Sequence, residues 1–277
     1  MDTDPLADVG PPRYAVESDD EDEYNPLSPT RPPPKHDLDF EFINTGKVTA
    51  KTLVFASLEA GRIWAKGASL GEQLGTVAIN KKCVGMIFNP GWADAIVIVS
   101  EALTRLPVWA QYPYAKYVLD QFKPTKLLLL DSYAASSYIQ PKYVPLHKAP
   151  VRYIALESNT SIPKYFEPFS PPNLIQSTSA AFFSLISLSR QSSPQSSAEV
   201  VLFLFPGPYH PANPPDDLTS TASILTENDN LWPHELTKSV QEVLSGGTHK
   251  WNSKGGERGS SSSREKPRPR DEGNMYL

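Results

Sequence analysis

Six short runs of apolar residues recur along this chain, and any fold it adopts must cover them on both sides. They are KTLVFAS (51–57), KCVGMIF (82–88), DAIVIVS (94–100), KLLLLDS (126–132), VRYIALES (151–158) and EVVLFLF (199–205). Each is too short for a helix, rich in branched side chains and nearly continuous in apolarity, which suits strands buried on two faces. Helical spacing appears between and after them. In YAKYVLDQF, Tyr114, Val118 and Phe122 repeat every four residues, and in STSAAFFSLISLSRQ a cap at Ser177 or Thr178 precedes a stripe through Phe182, Leu185 and Ile186. DDLTSTASILTE (216–227) and HELTKSVQEVLSGG (234–247) read as two further helices, the second ending on a glycine pair suited to a C-cap. Strands alternating with helices predict an α/β domain over residues 47–247, with a largely parallel or mixed sheet flanked by helices.

The two ends differ from this body. Residues 1–46 carry 12 acidic and 3 basic residues and then a proline run, with too little apolar surface to offset the entropy of ordering, so disorder is expected there. Residues 248–274 are rich in Gly, Ser, Pro and basic residues and read as a flexible linker to the last three positions, 275–277. The middle, 47–248, is almost neutral, with 15 acidic and 16 basic residues, which argues against a nucleic-acid partner. Cys83 is the single cysteine, so neither an internal disulfide nor a thiolate zinc cluster is available. No basic start with an apolar run marks a signal peptide, and no run reaches the ~18–20 apolar residues of a membrane span. The expectation is a soluble cytoplasmic protein with no membrane partner, in which the Asn159-Thr160-Ser161 glycosylation pattern is inert. The basic tail offers a route to the nucleus. Ser18, within the acidic run, and Ser28, before Pro29, are candidate phosphorylation sites.

The sharpest sign of catalysis is GASLG at 67–71, which fits the G-x-S-x-G elbow with Ser69 as nucleophile. Asp131 and His210 follow in the order of a hydrolase triad, and an α/β hydrolase is therefore the alternative reading. An elbow needs a strand before it and a helix after it, and GRIWAKGASLGEQLG promises neither. TGKVT at 45–49 lacks the glycine that a phosphate loop needs at position 41, which is Glu. The five histidines are scattered without metal-ligand spacing, so no metal or cofactor is expected.

The chain finishes DEGNMYL: a carboxylate, a rigid amphipathic ring at Tyr276 and an apolar neighbour at Met275, on a tether spanning roughly 30 Å. Backbone nests and lysines capture such termini, while the ring fills a slot. This ending resembles the hydrophobic–Tyr–any motif with which regulators and assembly factors dock on the proteasome α-ring. TLVFASLEAGRIWA, TKLLLLDSY and PPNLIQSTSAAFFSLI, the last leading to VVLFLF, are similar to stretches of the proteasome assembly chaperone 1 family, in its fungal type. The resemblance covers residues 47–245 and the last three positions. It implies a non-enzymatic, nucleoside phosphorylase-like α/β fold that pairs with a second, related chaperone subunit. The pair would cap the assembling α-ring, promote its formation and block premature docking of the regulatory particle. By position, Met275 is the hydrophobic member, Tyr276 the tyrosine and Leu277 the free terminus.

Overall fold

A computed structural model of the chain describes residues 37–43, 50–157, 162–192, 198–208, 213–221 and 231–252. Among these residues the fold is a mixed α/β sandwich, with one nine-stranded sheet between two layers of helix. In chain order the elements are β1 (Phe40–Ile43), β2 (Thr52–Ser57), α1 (Leu58–Gly67), β3 (Gln73–Ile79), β4 (Lys82–Phe88), β5 (Ala95–Ser100), β6 (Thr104–Arg105) and α2 (Val108–Phe122). They continue as β7 (Lys126–Ala134), β8 (Arg152–Ala155), β9 (Glu167–Pro168), α3 (Thr178–Ser192), β10 (Glu199–Gly207), β11 (Thr219–Ser220) and α4 (His234–Leu244).

All six apolar runs form strands. The sheet order is β1-β3-β4-β5-β2-β7-β10-β8-β9. Its centre, β5-β2-β7-β10, is parallel, and the strands beyond β5 and β10 pair antiparallel apart from the short β8–β9 pair. The side-chain period of two divides each central strand between the layers. Leu53, Phe55, Ile96, Ile98, Leu127, Leu129, Val200 and Leu202 face α2 and α3, while Val54, Ala56, Val97, Val99, Leu128, Leu130, Val201 and Phe203 face α1 and α4. Near-continuous apolarity is thus what a strand covered by helices on both sides requires.

Several expectations change. Phe40–Ile43, inside the segment expected to be disordered, is an edge strand on β3. Its Phe40 and Phe42 rings stack on Tyr117 of α2 at 4.9 and 5.0 Å, and the Tyr117 hydroxyl donates to the Phe40 carbonyl. The alternation of FEFI outweighs the charge around it. GRIWAKG, which promised no helix, lies in α1: its two glycines weaken the helix locally, but Ile63 and Trp64 are buried against the sheet. A Cβ on Gly67 would overlap the indole of Trp251, so the weak residue is the one that packing demands. In DDLTSTASILTE, Thr219–Ser220 pairs with β6 as a strand instead of a helix, and positions 222–227 lie outside the described residues. α2 starts six residues before Tyr114, at Val108, and contains Pro113.

The packed chain also runs past the boundary expected at 247. Gly247 N–H donates to Glu242 O at 2.7 Å, closing α4 as its glycine pair suggested. A strap from Thr248 to Asn252 then passes Trp92, to whose carbonyl Thr248 Oγ1 donates at 3.2 Å, and reaches α1 with Trp251 and Asn252. The Trp251 indole N–H donates to Trp64 O at 2.8 Å, Asn252 N–H to Gly67 O at 3.0 Å, and Trp251 is buried.

Candidate functional site

Where a sheet's order reverses, the loops leaving neighbouring strands turn to opposite faces and open a crevice at their carboxyl ends. Here the chain passes from β2 outward to β5 and later returns to place β7 on the other side of β2. At that point lies a cleft of about 520 Å³, walled by the ends of β2, β5 and β7, the start of α3 and the segments 137–139 and 172–176.

Two buried carboxyl groups stand in it. Asp131 belongs to β7 and Glu101 follows β5 directly. Glu101 accepts hydrogen bonds from Leu106 N–H (3.1 Å) and Thr178 Oγ1 (2.7 Å). Asp131 accepts from Ser132 N–H (2.8 Å) and Ser177 Oγ (2.6 Å). Ser177 also caps α3, taking the Ala180 N–H on its hydroxyl, as the sequence led one to expect. Below it, Ser57 Oγ donates to Leu130 O and shares a hydrogen bond with Ser179 Oγ. Two carboxyls at the positive end of α3, linked by serine and threonine hydroxyls, fasten that helix to β5 and β7.

Burial pushes the Glu101 carboxyl up to about 7, against the pull of its Thr178 and Leu106 hydrogen bonds. Burial likewise raises Asp131, opposed by its hydroxyl partners. Glu101 sits at a φ of 56°, a left-handed backbone that a residue with a long side chain adopts at a cost. Arg105, also in the cleft wall, donates to Asn213 O at 3.0 Å and lowers Glu101 slightly.

The opposite wall is aromatic. Tyr133, Tyr138 and Phe169 meet edge-on or tilted at 5.3–6.2 Å. Arg152 backs them, its guanidinium 3.9 Å from the Tyr138 ring centre, held by Gln140 Oε1 (2.7 Å), Pro168 O (3.1 Å) and Glu167 (3.0 Å). Ile139 and Leu174 form the rim. Asn173 clamps them together by accepting from Ile139 N–H and donating to Ile139 O, yet Leu174 remains 85% exposed and Ile139 64%.

Ser69 and Asp131 do not come together. Ser69 is exposed in the turn after α1, at φ 49°, whereas the α1 start and Ser57 lie beside Asp131. The length of the ten-residue α1, about 15 Å, separates the two levels. Ser69 also follows a helix and precedes a strand, the reverse of an elbow. Asp131 fastens α3 instead of orienting an imidazole, and His210 lies outside the described residues. Among the described residues, no histidine or cysteine lines the cleft, and no group of three or more His, Cys, Asp or Glu could hold a metal ion. No described helix is long and apolar enough to cross a membrane.

Ser18, Ser28, Met275, Tyr276 and Leu277 lie outside the described residues. Sequence reasoning did not single out Glu101, Tyr138 or Arg152. The one usable signal was an acidic residue directly after the apolar run of β5, parallel to the Asp that ends the LLLL run of β7.

No family model matches the chain, and no curated protein matches its sequence. Among solved structures, it is similar to Pyrococcus furiosus PbaA, described as an archaeal homolog of proteasome-assembly chaperone. The identity is 10% over 75% of this chain and 80% of that one, with a TM-score of 0.47. P. furiosus PbaB, described as an archaeal proteasome activator, is 8% identical over 77% and 90% of the two chains, with a TM-score of 0.45. A Mycobacterium tuberculosis protein of unknown function is 14% identical over 80% of each chain, with a TM-score of 0.44. All three are distant likenesses.

Proposed function

We propose that this chain is a proteasome assembly chaperone subunit, a binding protein without catalytic residues. Its nucleoside phosphorylase-like body pairs with a second, related subunit of the fungal type of complex. The pair seats on the α-ring of the assembling core particle, favours ring formation and keeps the regulatory particle from docking early. Met275, Tyr276 and the Leu277 carboxylate enter a pocket between α subunits, while the body supplies most of the affinity and the tail adds effective concentration. Phosphorylation of Ser18 or Ser28 would deepen the charge of the acidic N-terminal segment. The protein acts in the cytoplasm, with the basic tail as a route to the nucleus.

The observation that carries this reading is the joint occurrence of the three body stretches that resemble the family and a terminal Met-Tyr-Leu, two independent signals in one sequence. The separation of Ser69 from Asp131 supports it by removing the hydrolase alternative. Affinity purification from native cells tests it. α subunits and a second α/β chain are expected with the full-length protein, and removal of residues 275–277 is expected to weaken α-ring association by about tenfold or more while the heterodimer persists. A monomer that retains no α subunit would overturn the reading, and equal α-ring binding without the last three residues would remove the tail from it.

A further inference from the structure

A groove of about 390 Å³ lies between α4 and the aromatic turn that precedes β9. Its apolar lining includes Pro150, Leu236 and Tyr165, whose ring packs on buried Phe166 at 4.6 Å and is itself 55% exposed. Three charged side chains line it: Glu235, Lys238 and Glu242. Lys238 is bound to Glu235, one turn back on the same helix, at 2.8 Å. The exposed Glu242 carboxylate has no hydrogen bond or ion pair among the described residues. Lys164 precedes Tyr165 but does not line the groove. The groove thus keeps one uncompensated negative charge, in water, beside an aromatic ring.

The described chain ends close to it. Trp251 packs on His234, the first residue of α4, with ring centres 5.3 Å apart, and Asn252 follows. Glu235 is the next residue of α4, and Glu242 lies two turns further, about 11 Å along the helix. Residues 253–277 start from that corner. Within them REKPRPR, at 264–270, carries four basic residues and one acid, net +3, with Pro267 and Pro269 on either side of Arg268. Arg268 stands 16 positions after Asn252. Such a length of chain extends to roughly 55 Å, more than three times the ~16 Å of α4.

We propose that this groove is the docking site of residues 264–270 of the chain's own C-terminal tail. Pro267 and Pro269 lie against Tyr165 and Leu236, as proline rings do in aromatic-lined grooves, and the Arg268 guanidinium donates to the Glu242 carboxylate. The tether makes the encounter intramolecular, so a weak contact fills without help from a partner. As a contact of exposed charges, it adds far less to the fold than the burial of Trp251. Only four residues separate Arg270 from Met275, so docking holds Met275, Tyr276 and Leu277 beside the body. On the chaperone reading, on which this consequence rests, the groove competes with the α-ring for the tail.

The test uses the full-length chain carrying Cys83→Ser, Ser239→Cys and Asp271→Cys in a glutathione redox buffer. The fraction oxidised gives the effective concentration of one introduced thiol at the other. Glu242→Lys is expected to lower that value about tenfold. Arg268→Glu, beyond the described residues and so outside the packed body, is expected to lower it as much. The two together should restore it, because the charges are then exchanged. Equal values in all four chains, a double variant no better than either single one, or disulfides that join two chains would each overturn the proposal. Charge-independent trapping with α subunits still recovered sinks this inference alone. Charge-dependent trapping in a chain that recovers no α subunit leaves the docked tail and sinks the chaperone reading.

Discussion

The two helical layers pack on the same sheet by different means. Against α2 and α3 the core is aliphatic and phenyl: Phe55, Phe182 and Tyr114 meet Leu and Ile of the strands, and both helices are long, continuous pieces of sequence. Against α1 and α4 the layer is pinned by indoles. Trp64 N–H donates to Gln241 Oε1, Trp92 N–H to Ala68 O, Trp232 N–H to Pro206 O and Trp251 N–H to Trp64 O, each at 2.6–2.9 Å. In the first layer the directed bonds stand at its margins, where Thr178 and Ser177 reach Glu101 and Asp131 and the Trp109 indole donates to Asp216 O, whereas in the second four indole bonds run through the layer itself. A short helix with two glycines survives in the second layer because the pins fix it.

The strongest way to break this contrast is Trp251→Ala. Loss of a buried indole and its hydrogen bond should cost about 3–5 kcal/mol, read as a lower midpoint in urea unfolding. A chain stopped after residue 247 should behave like Trp251→Ala, and one stopped after residue 252 like the full protein. If the two truncated chains unfold alike, the strap plays no part in the second layer.

That strap was the least legible part of the fold. In GGTHKWNSKGG a single tryptophan sits among linker residues, and composition outvotes it, because the partner that makes it structural, Gly67, lies far away in sequence. α1 was missed for the same reason, its helical weakness being visible and its packing not. The strands and α3 were legible because their signals are local: branched apolar runs, and Ser177 ahead of a stripe. The parallel centre followed from alternation, but the antiparallel flanks did not, since KCVGMIF reads the same in either direction of pairing. At the site, Ser177 was readable as a cap, whereas its bond to Asp131 depends on two elements brought together by the sheet order.

A smaller effect sharpens the contrast from the first layer's side. Glu101, raised to about 7 in the folded chain from 4.5, stays protonated in the fold over a pH range where the unfolded chain has lost the proton. The fold binds more protons there, so stability is greatest below about 4.5 and falls as pH rises to about 7, by roughly 3 kcal/mol from this group. Glu101→Gln keeps an acceptor for Leu106 N–H and should flatten this decline in urea midpoints measured from pH 5 to pH 8. An unchanged slope would show that Glu101 does not titrate in this way. Smallest is Tyr114→Phe, which removes the buried hydroxyl bonded to Ser100 Oγ under α2. It should cost about 1 kcal/mol, and a loss comparable with that of Trp251→Ala would erase the distinction between the layers.

The indole pins also impose an order on biosynthesis. Trp64 waits for Gln241, 177 residues downstream, and for Trp251, 187 residues downstream. As the polypeptide leaves the ribosome, the strands through β10 and the helices α2 and α3 are all available once residue 207 has emerged. The opposite face of the sheet stays uncovered by α4 and the strap until residue 252 has been made. During that interval Val54, Val97, Leu128 and Phe203 are covered only by α1, and the part of this apolar face that α4 will bury is open to aggregation.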